Sequence, residues 1–467
     1  MKILLQLSVL LLIHPLLNGQ SFKILSQLPL NDELSLSTLQ YGRKEYGIGL
    51  LNSKGSITKE QTLNGTPVGT GIMGDNVLLI TAEEKNQKTR AYNALLLKKG
   101  GTNILYEKSL FTKDNSNRIS TTLLKDPNNN FGYVLFRETK YDEGFNFFGP
   151  SGFDTKFLES ASLELYALNN KLEPKKIEIS TEAVNTYFAG ACADNARNIY
   201  ICSFTKDNMV IEKFDSTGKL QGKLSSPFSV WKNPGLYFTM QNDKDNQGNL
   251  TIASAYLNAD KKQAQSAIRF DFTSKKVYTT GEIVLNKQYI NSLKNAAEIK
   301  GRNFVAIYGL VPIQILGDLE RIIVVKEIQY EQAGGKGEST TYYREGAIIT
   351  VYNKKTFEVE RDILIDKKLA SFVEQSEGIF ARVLGNNLWA VTCEKSGLAS
   401  FKTYVHKINL ATGELTKEEI EKEDIGKGWI TFPKQTGWFK KSFTVPFFKI
   451  TSPFSYSFET EFITKPY

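Results

Sequence analysis

From Thr186 the chain reads TYFAGAC, ADNAR, NIYICSFT, KDN, MVIEKFD, STG and KLQGKL: four short strand-like runs joined by three polar reversals. Asp, Asn, Gly and Ser at the reversals supply a positive φ or a local side-chain hydrogen bond, which a tight hairpin turn needs. The pattern returns along the chain, and such self-similarity restricts the fold more than any other property of the sequence. Second strands follow an Asn and are apolar without alternation: Asn76-Val77-Leu78-Leu79-Ile80, Asn198-Ile199-Tyr200-Ile201, Asn249-Leu250-Thr251-Ile252 and Asn387-Leu388-Trp389-Ala390. A run of that kind is covered on both faces, as an inner strand would be. Third strands end at polar turns, as in Phe214-Asp215-Ser216-Thr217-Gly218 and Ile408-Asn409-Leu410-Ala411-Thr412-Gly413. Fourth strands are short and polar, which suits an outer edge guarded by charge.

Six units follow this template, at 67–110, 118–180, 186–226, 237–285, 303–366 and 379–420. Residues 45–62 look like a third and fourth strand without a first and second, while 429–458 supplies aromatic strand at the other end. Joining the two ends in one composite unit would close a ring and remove open sheet edges. The expectation is an all-β β-propeller of four-stranded blades, seven in number with six as the alternative, forming a single domain over 20–467. A β-sandwich competes, since many short strands with frequent turns suit either fold. Only the stretches 288–299 and 414–424 read as short helix.

The blade pattern resembles secreted β-propeller repeat proteins in architecture, over nearly the whole chain after the leader. The Gly-His and Trp-Asp pairs of WD40 blades and the Asp boxes of sialidase-like propellers are absent from the sequence, and no pair of glycines recurs from unit to unit as in kelch repeats. The resemblance therefore implies a fold and transfers no catalytic residue.

Residues 1–19 begin Met1-Lys2, continue as an apolar run from Ile3 to Leu17, and end at Asn18-Gly19 before Gln20. One positive charge, a short apolar stretch and a small residue describe a cleavable secretory signal peptide. The run is shorter than the ~20 residues of a spanning helix, and no later segment is apolar enough to span. The expected location is secreted, extracellular or periplasmic. Lys and Arg number 58 against 50 Asp and Glu, a formal charge of +8, with the two signs interspersed. That distribution is a solvated surface rather than a nucleic-acid footprint. The three cysteines, Cys192, Cys202 and Cys393, are too few and scattered for a disulfide framework. A hairpin centred near Asn195-Ala196 would set Cys192 opposite Ile199, beyond disulfide reach of Cys202.

Four constellations resemble chemistry without its context. Gly69-Thr70-Gly71-Ile72-Met73-Gly74 has the spacing of a dinucleotide loop but precedes a strand instead of a helix, so a blade turn is the reading. Asp243-Lys244-Asp245-Asn246-Gln247-Gly248 has alternating oxygen ligands, yet Ser254 stands where a calcium loop needs a bidentate Glu. Asp243 and Asp245 are thus a weak calcium candidate, and no other cofactor is indicated. His406 is the only histidine after the leader and lies in the third-strand run YVHKINL, which makes it a strand residue. Asp and Glu are plentiful, and no spacing singles out an acid–base pair of the glycosidase kind.

Two long insertions between second and third strands depart from the repeat. One, 140–160, carries Tyr141, Phe145, Phe147, Phe148, Phe153 and Phe157; the other, 329–345, carries Tyr330, Tyr342, Tyr343 and Arg344. Equivalent connections of a propeller emerge on one face, and long loops on a rigid scaffold are where binding usually resides. Trp231, in SVWKNPGLYF, could join them. The expected function is a non-enzymatic binding propeller that contacts a protein or polysaccharide through this face. Alternatives are an extracellular carbohydrate-active enzyme using carboxylates or Tyr/Arg at the channel, and a structural envelope component.

Overall fold

The computed structural model describes residues 22–41, 44–86, 89–114, 119–139, 160–205, 207–228, 237–242, 248–257, 263–284, 305–332, 341–371, 378–396, 401–421, 429–452 and 457–467. The leader at 1–19 lies outside them, as do 288–299. The described residues form eight sheets, at 23–63, 66–114, 119–177, 187–227, 237–284, 305–371, 379–419 and 429–466, here blades 1 to 8. Blades 1 to 7 are antiparallel meanders in chain order, and blade 5 splits its outer lane into Lys276–Thr279 and Ile283–Val284. First strands of successive blades neighbour one another from blade 2 to blade 7, and the inner lane of blade 8 adjoins those of blades 7 and 1. The molecule is an eight-bladed β-propeller. Among the described residues no helix is long and apolar enough to cross a membrane.

The core is divided among the seams between blades, one apolar cluster to each. Strand alternation explains how. In the second strand of blade 2, Val77 and Leu79 pack with Leu36, Ile48 and Leu50 of blade 1, while Leu78 and Ile80 pack with Phe131, Val134 and Phe136 of blade 3. A strand clasped on both faces has no polar side, which is why these runs do not alternate. The remaining seams follow: Tyr133, Leu135 and Leu165 with Ile199, Ile201 and Phe214; Cys202, Phe204 and Ile211 with Leu250, Ile252 and Phe270; Ala253 and Ala267 with Ile322, Val324 and Tyr352; Ile323, Val325 and Ile349 with Leu388, Ala390 and Ile408; Val391 and Val405 with Trp438, Phe443 and Val445. Blades 8 and 1 close the circle through Phe432, Phe439 and Phe448 against Phe22, Ile24, Leu39 and Leu51.

Turn chemistry sets the hairpins. At the reversal between third and fourth strands Asn52, Asn169, Asp215, Asp271, Asn353 and Asn409 recur in blades 1, 3, 4, 5, 6 and 7. Each side-chain Oδ1 accepts the backbone N–H two residues on and a second N–H three or four residues on, at 2.8–3.1 Å. Such a side chain replaces the ladder partner that the reversal removes. Gly218 has φ +90, and a Cβ there would lie 2.2 Å from the Glu178 carbonyl oxygen, so both conformation and space demand glycine.

The blade count corrects the expectation of seven or six. The six units fall within a few residues of their expected limits, but the ends form separate blades instead of sharing one. Tyr46–Asn52 and Ile57–Leu63 are a third and fourth strand as expected; their first and second are Lys23–Pro29 and Leu34–Gln40 from the same end of the chain. Ser and Gln inside KILSQLP and LSLSTLQ disguise those strands, although Ser35, Ser37 and Thr38 are buried. Blade 8 is three lanes wide: Trp429–Thr431 and Gly437–Trp438, separated by a 3-10 turn at Pro433–Gln435, both pair with Ser442–Ser452, whose other edge carries Ser457–Pro466. Across the final seam Gln27 Nε2 donates to the Gln435 carbonyl at 2.7 Å and the Lys440 N–H to the Asp32 carbonyl at 3.1 Å. The helix expected from Glu414 is instead an outer strand, Leu415–Glu419, paired with Tyr404–Ile408.

Candidate binding face

Blade 6 differs from its neighbours in length. Its strands, Val305–Gly317, Arg321–Gln332, Thr341–Asn353 and Val359–Ser371, hold 12 or 13 residues, against six and seven in the middle strands of blade 4. At one end blades 5 and 6 are level, since Asn242 shares a small cavity with Asp318, Arg321 and Lys354. The added length therefore extends the opposite end, which carries the connections between second and third strands. Leu369, near the tip of the fourth strand, packs against Cys393, Ile430 and Phe432 of blades 7 and 8, so the extension is anchored across its neighbours.

The inner strand shows where the extension begins. Val324 faces blade 5 and Ile323 and Val325 face blade 7; the next two residues keep the alternation but are Lys326 and Glu327, both buried. On the blade 5 side Lys326 Nζ donates to Gln265 Oε1 and, at 2.8 Å, to Thr350 Oγ1, which donates to Asp362 Oδ1. Burial pushes the Lys326 ammonium down to about 8, with Asp362 opposing. On the blade 7 side Glu327 meets Lys367 Nζ at 2.5 Å, both side chains wholly excluded from solvent. The Glu327 carboxylate also accepts Gln329 Nε2 at 2.9 Å and the Gly378 N–H at 3.0 Å, and Lys367 Nζ donates to the Arg344 carbonyl at 3.0 Å. A buried pair is tolerable only when its remaining hydrogen-bonding capacity is met, and here the chain supplies the partners. The pair therefore braces three strands of blade 6 against the start of blade 7. Gly378 leaves room for it: a Cβ would lie 2.7 Å from Glu327 Oε1 and 2.8 Å from Lys367 Nζ.

His406, on blade 7, faces the same seam. It is buried, its Nε2 lies 2.9 Å from Thr392 Oγ1, and its Nδ1 is without a hydrogen-bond partner among the described residues. Burial, with Lys417 and Lys367 adding to it, holds the imidazole down to about 3 and keeps it neutral. The histidine is a strand residue, as the sequence indicates.

Of the candidate residues, Tyr342, Tyr343 and Arg344 lie on the strand Thr341–Asn353 and not in a loop, because most of the 329–345 insertion continues the ladder. Tyr343 stands opposite Tyr330 and Ala370, Tyr342 opposite Glu331 and Ser371. Both tyrosines are half-buried. Arg344 is 4% exposed, donates from Nη1 to the Tyr343 carbonyl at 2.9 Å, and so belongs to the support beneath the face. Tyr141, Phe145, Phe147, Phe148, Trp231, Asp243 and Asp245 lie outside the described residues. Among the described residues no group of three or more His, Cys, Asp or Glu could hold a metal. Gly69 and Gly71 sit within the strand Thr66–Met73 and only Gly74 turns the chain, at φ +60. The three cysteines are free; Cys202 stands opposite Gly190 and Cys192 opposite Tyr200, one residue from the expected register. The five-residue turn 194–198 accounts for the shift.

No protein-family model matches the chain, and no curated protein matches it. Solved structures do. The WD40 domain of SCAP from fission yeast aligns with 8% identity and a TM-score of 0.44 over 96% of this chain and 97% of that one. The β-propeller domain of the Trilobed protease from Pyrococcus furiosus aligns with 10% identity and a TM-score of 0.41, covering 86% and 95%. A putative 6-phosphogluconolactonase from Bacteroides fragilis gives 10% identity and 0.40, covering 84% and 95%. At these values the likenesses carry no functional argument.

Proposed function

We propose that this chain is an exported, non-enzymatic binding propeller that contacts a protein or polysaccharide through the face on which connections between second and third strands emerge. The observation that carries the reading is the extended end of blade 6, where Tyr342 and Tyr343 stand on strands braced by the Glu327–Lys367 pair. Rigid aromatic side chains give large contact area at low entropic cost. The 140–160 insertion falls between the second and third strands of blade 3, Phe131–Thr139 and Ser160–Leu168, and the leader pattern at 1–19 supports export.

The test is capture from native extracellular material on the immobilised mature protein, read by mass spectrometry and, in parallel, on a glycan array. Replacing Tyr342 and Tyr343 together with Ala is expected to abolish capture on whichever platform responds, with a melting temperature within 2–3 °C of the parent, the shift expected of well under 1 kcal/mol. Capture that survives the double substitution would overturn the reading.

A further inference from the structure

On the opposite face, where first strands turn into second strands, a cleft of about 330 Å3 opens between blades 2, 3 and 4. Its walls are Ile72, Met73 and Gly74 of blade 2, Asp126, Asn130, Phe131, Leu168 and Asn170 of blade 3, and Asp194, Asn195 and Arg197 of blade 4. The walls are fixed. The Ile72 N–H donates to the Asn129 carbonyl at 2.9 Å, which ties blade 2 to blade 3. Tyr133 donates from its hydroxyl to the Arg197 carbonyl at 2.7 Å, and Asn128 Nδ2 lies 3.4 Å from Asn195 Oδ1, which ties blade 3 to blade 4. Both carboxylates are buried and held by their own turns: Asp126 accepts the Asn128 and Asn130 N–H groups at 2.8 Å and Asn130 Nδ2 at 2.7 Å, and Asp194 accepts the Asn198 N–H and Nδ2 at 2.8 Å and the Tyr200 hydroxyl at 2.9 Å, so each brings its negative charge to the cleft with most of its hydrogen bonds made within the chain.

We propose that this cleft binds one or two residues of a neutral saccharide. Charge decides the class. An anionic ligand drawn to Arg197 would meet Asp126 and Asp194, and a cationic ligand drawn to those aspartates would meet the guanidinium. A neutral polyol satisfies both, since each hydroxyl donates and accepts. The exposed side chain of Asn170 adds a donor and an acceptor of the same kind, and Met73, Phe131 and Leu168 offer an apolar flank to a sugar's C–H face. The volume sits at the small end of the range for small-molecule sites, roughly 300–1,000 Å3. Arg197 reaches this position from a left-handed backbone, φ +62, with its guanidinium carbon 5.6 Å from the centre of the Tyr133 ring.

That backbone makes a clean variant available, because Arg197→Gly removes the guanidinium and keeps a residue suited to the turn. The experiment is saturation-transfer NMR on the full mature chain with glucose, galactose, mannose, N-acetylglucosamine and their β-1,4-linked disaccharides, with gluconate and glucosamine as charged controls. At least one neutral sugar is expected to bind, at least tenfold more tightly than either charged control, and Arg197→Gly to weaken it at least tenfold at unchanged melting temperature. The proposal is overturned if no neutral sugar binds, if a charged control binds as well, or if Arg197→Gly leaves affinity unchanged.

Discussion

Lys367 and Glu327 form an ion pair from which solvent is wholly excluded, at one end of the apolar seam between blades 6 and 7. Removing one partner leaves a buried charge without its counter-charge. Lys367→Met is expected to cost about 3–5 kcal/mol, and the double variant Lys367→Met, Glu327→Leu less than the sum of its parts. Urea unfolding of the four proteins of this cycle measures it; an additive result would show that the pair does not couple.

Gly378 should be as intolerant as the pair it shelters. Gly378→Ala places a methyl within contact of both charged groups, and a loss of about 2 kcal/mol or more is expected from displaced hydrogen bonds. A melting temperature equal to the parent's would contradict the packing described.

Acid should act through His406. Its unfolded imidazole takes a proton near 6.5 and the folded one only near 3, so between these values the unfolded chain binds more protons. Stability then falls as pH drops below 6.5, by up to about 1.4 kcal/mol per pH unit for this group. His406→Gln should flatten the slope between pH 6.5 and 5, a window above most carboxylate titrations, as measured by urea midpoints.

Lys326 gives a trend at the alkaline end. Its folded value near 8 lies below the ordinary 10.5, so the unfolded chain holds the extra proton between them and stability rises with pH across that window. Lys326→Met should abolish the rise and, at pH 7, escape a penalty of roughly 3 kcal/mol for keeping the buried ammonium charged. Parallel chemical unfolding at pH 7, 8.5 and 10 separates the two proteins.

Opposite outcomes are expected at two turns. Gly218→Ala meets the Glu178 carbonyl and should destabilise by more than about 2 kcal/mol. Arg197→Gly exchanges roughly 1 kcal/mol of left-handed strain for a similar loss of chain entropy, and its melting temperature should scarcely move. Thermal unfolding of both variants is the check.

The repeating turns and doubly buried inner strands make most of the architecture legible in the sequence, because both are local patterns. Limits for six blades came within a few residues, apart from the longer ends of blades 2 and 6. What stayed hidden was not local. The first strands of the chain contain Ser35, Ser37 and Thr38, whose burial depends on a neighbouring blade that pairing alone reveals. The bracing network escaped notice similarly: Lys326-Glu327 inside an inner strand is a visible anomaly, but its partners Lys367, Gly378 and Gln265 lie far along the chain. The cleft of Asp126, Asp194 and Arg197 had a clearer signal, a recurrent Asp followed four residues later by Asn, at 126–130, 194–198 and 245–249.

Every blade is made from one uninterrupted stretch of chain, and the last seam is sealed by Phe22, Phe432 and Phe448 rather than by a strand borrowed from the far end. The seam between blades 8 and 1 is thus topologically no different from the other seven. Phe22 lies beside Thr460, whose hydroxyl donates to its carbonyl, so a circular permutant that joins Tyr467 to Phe22 through a linker running back along Ser457–Pro466 and opens the chain at 178–186 would keep every strand pair and the ring.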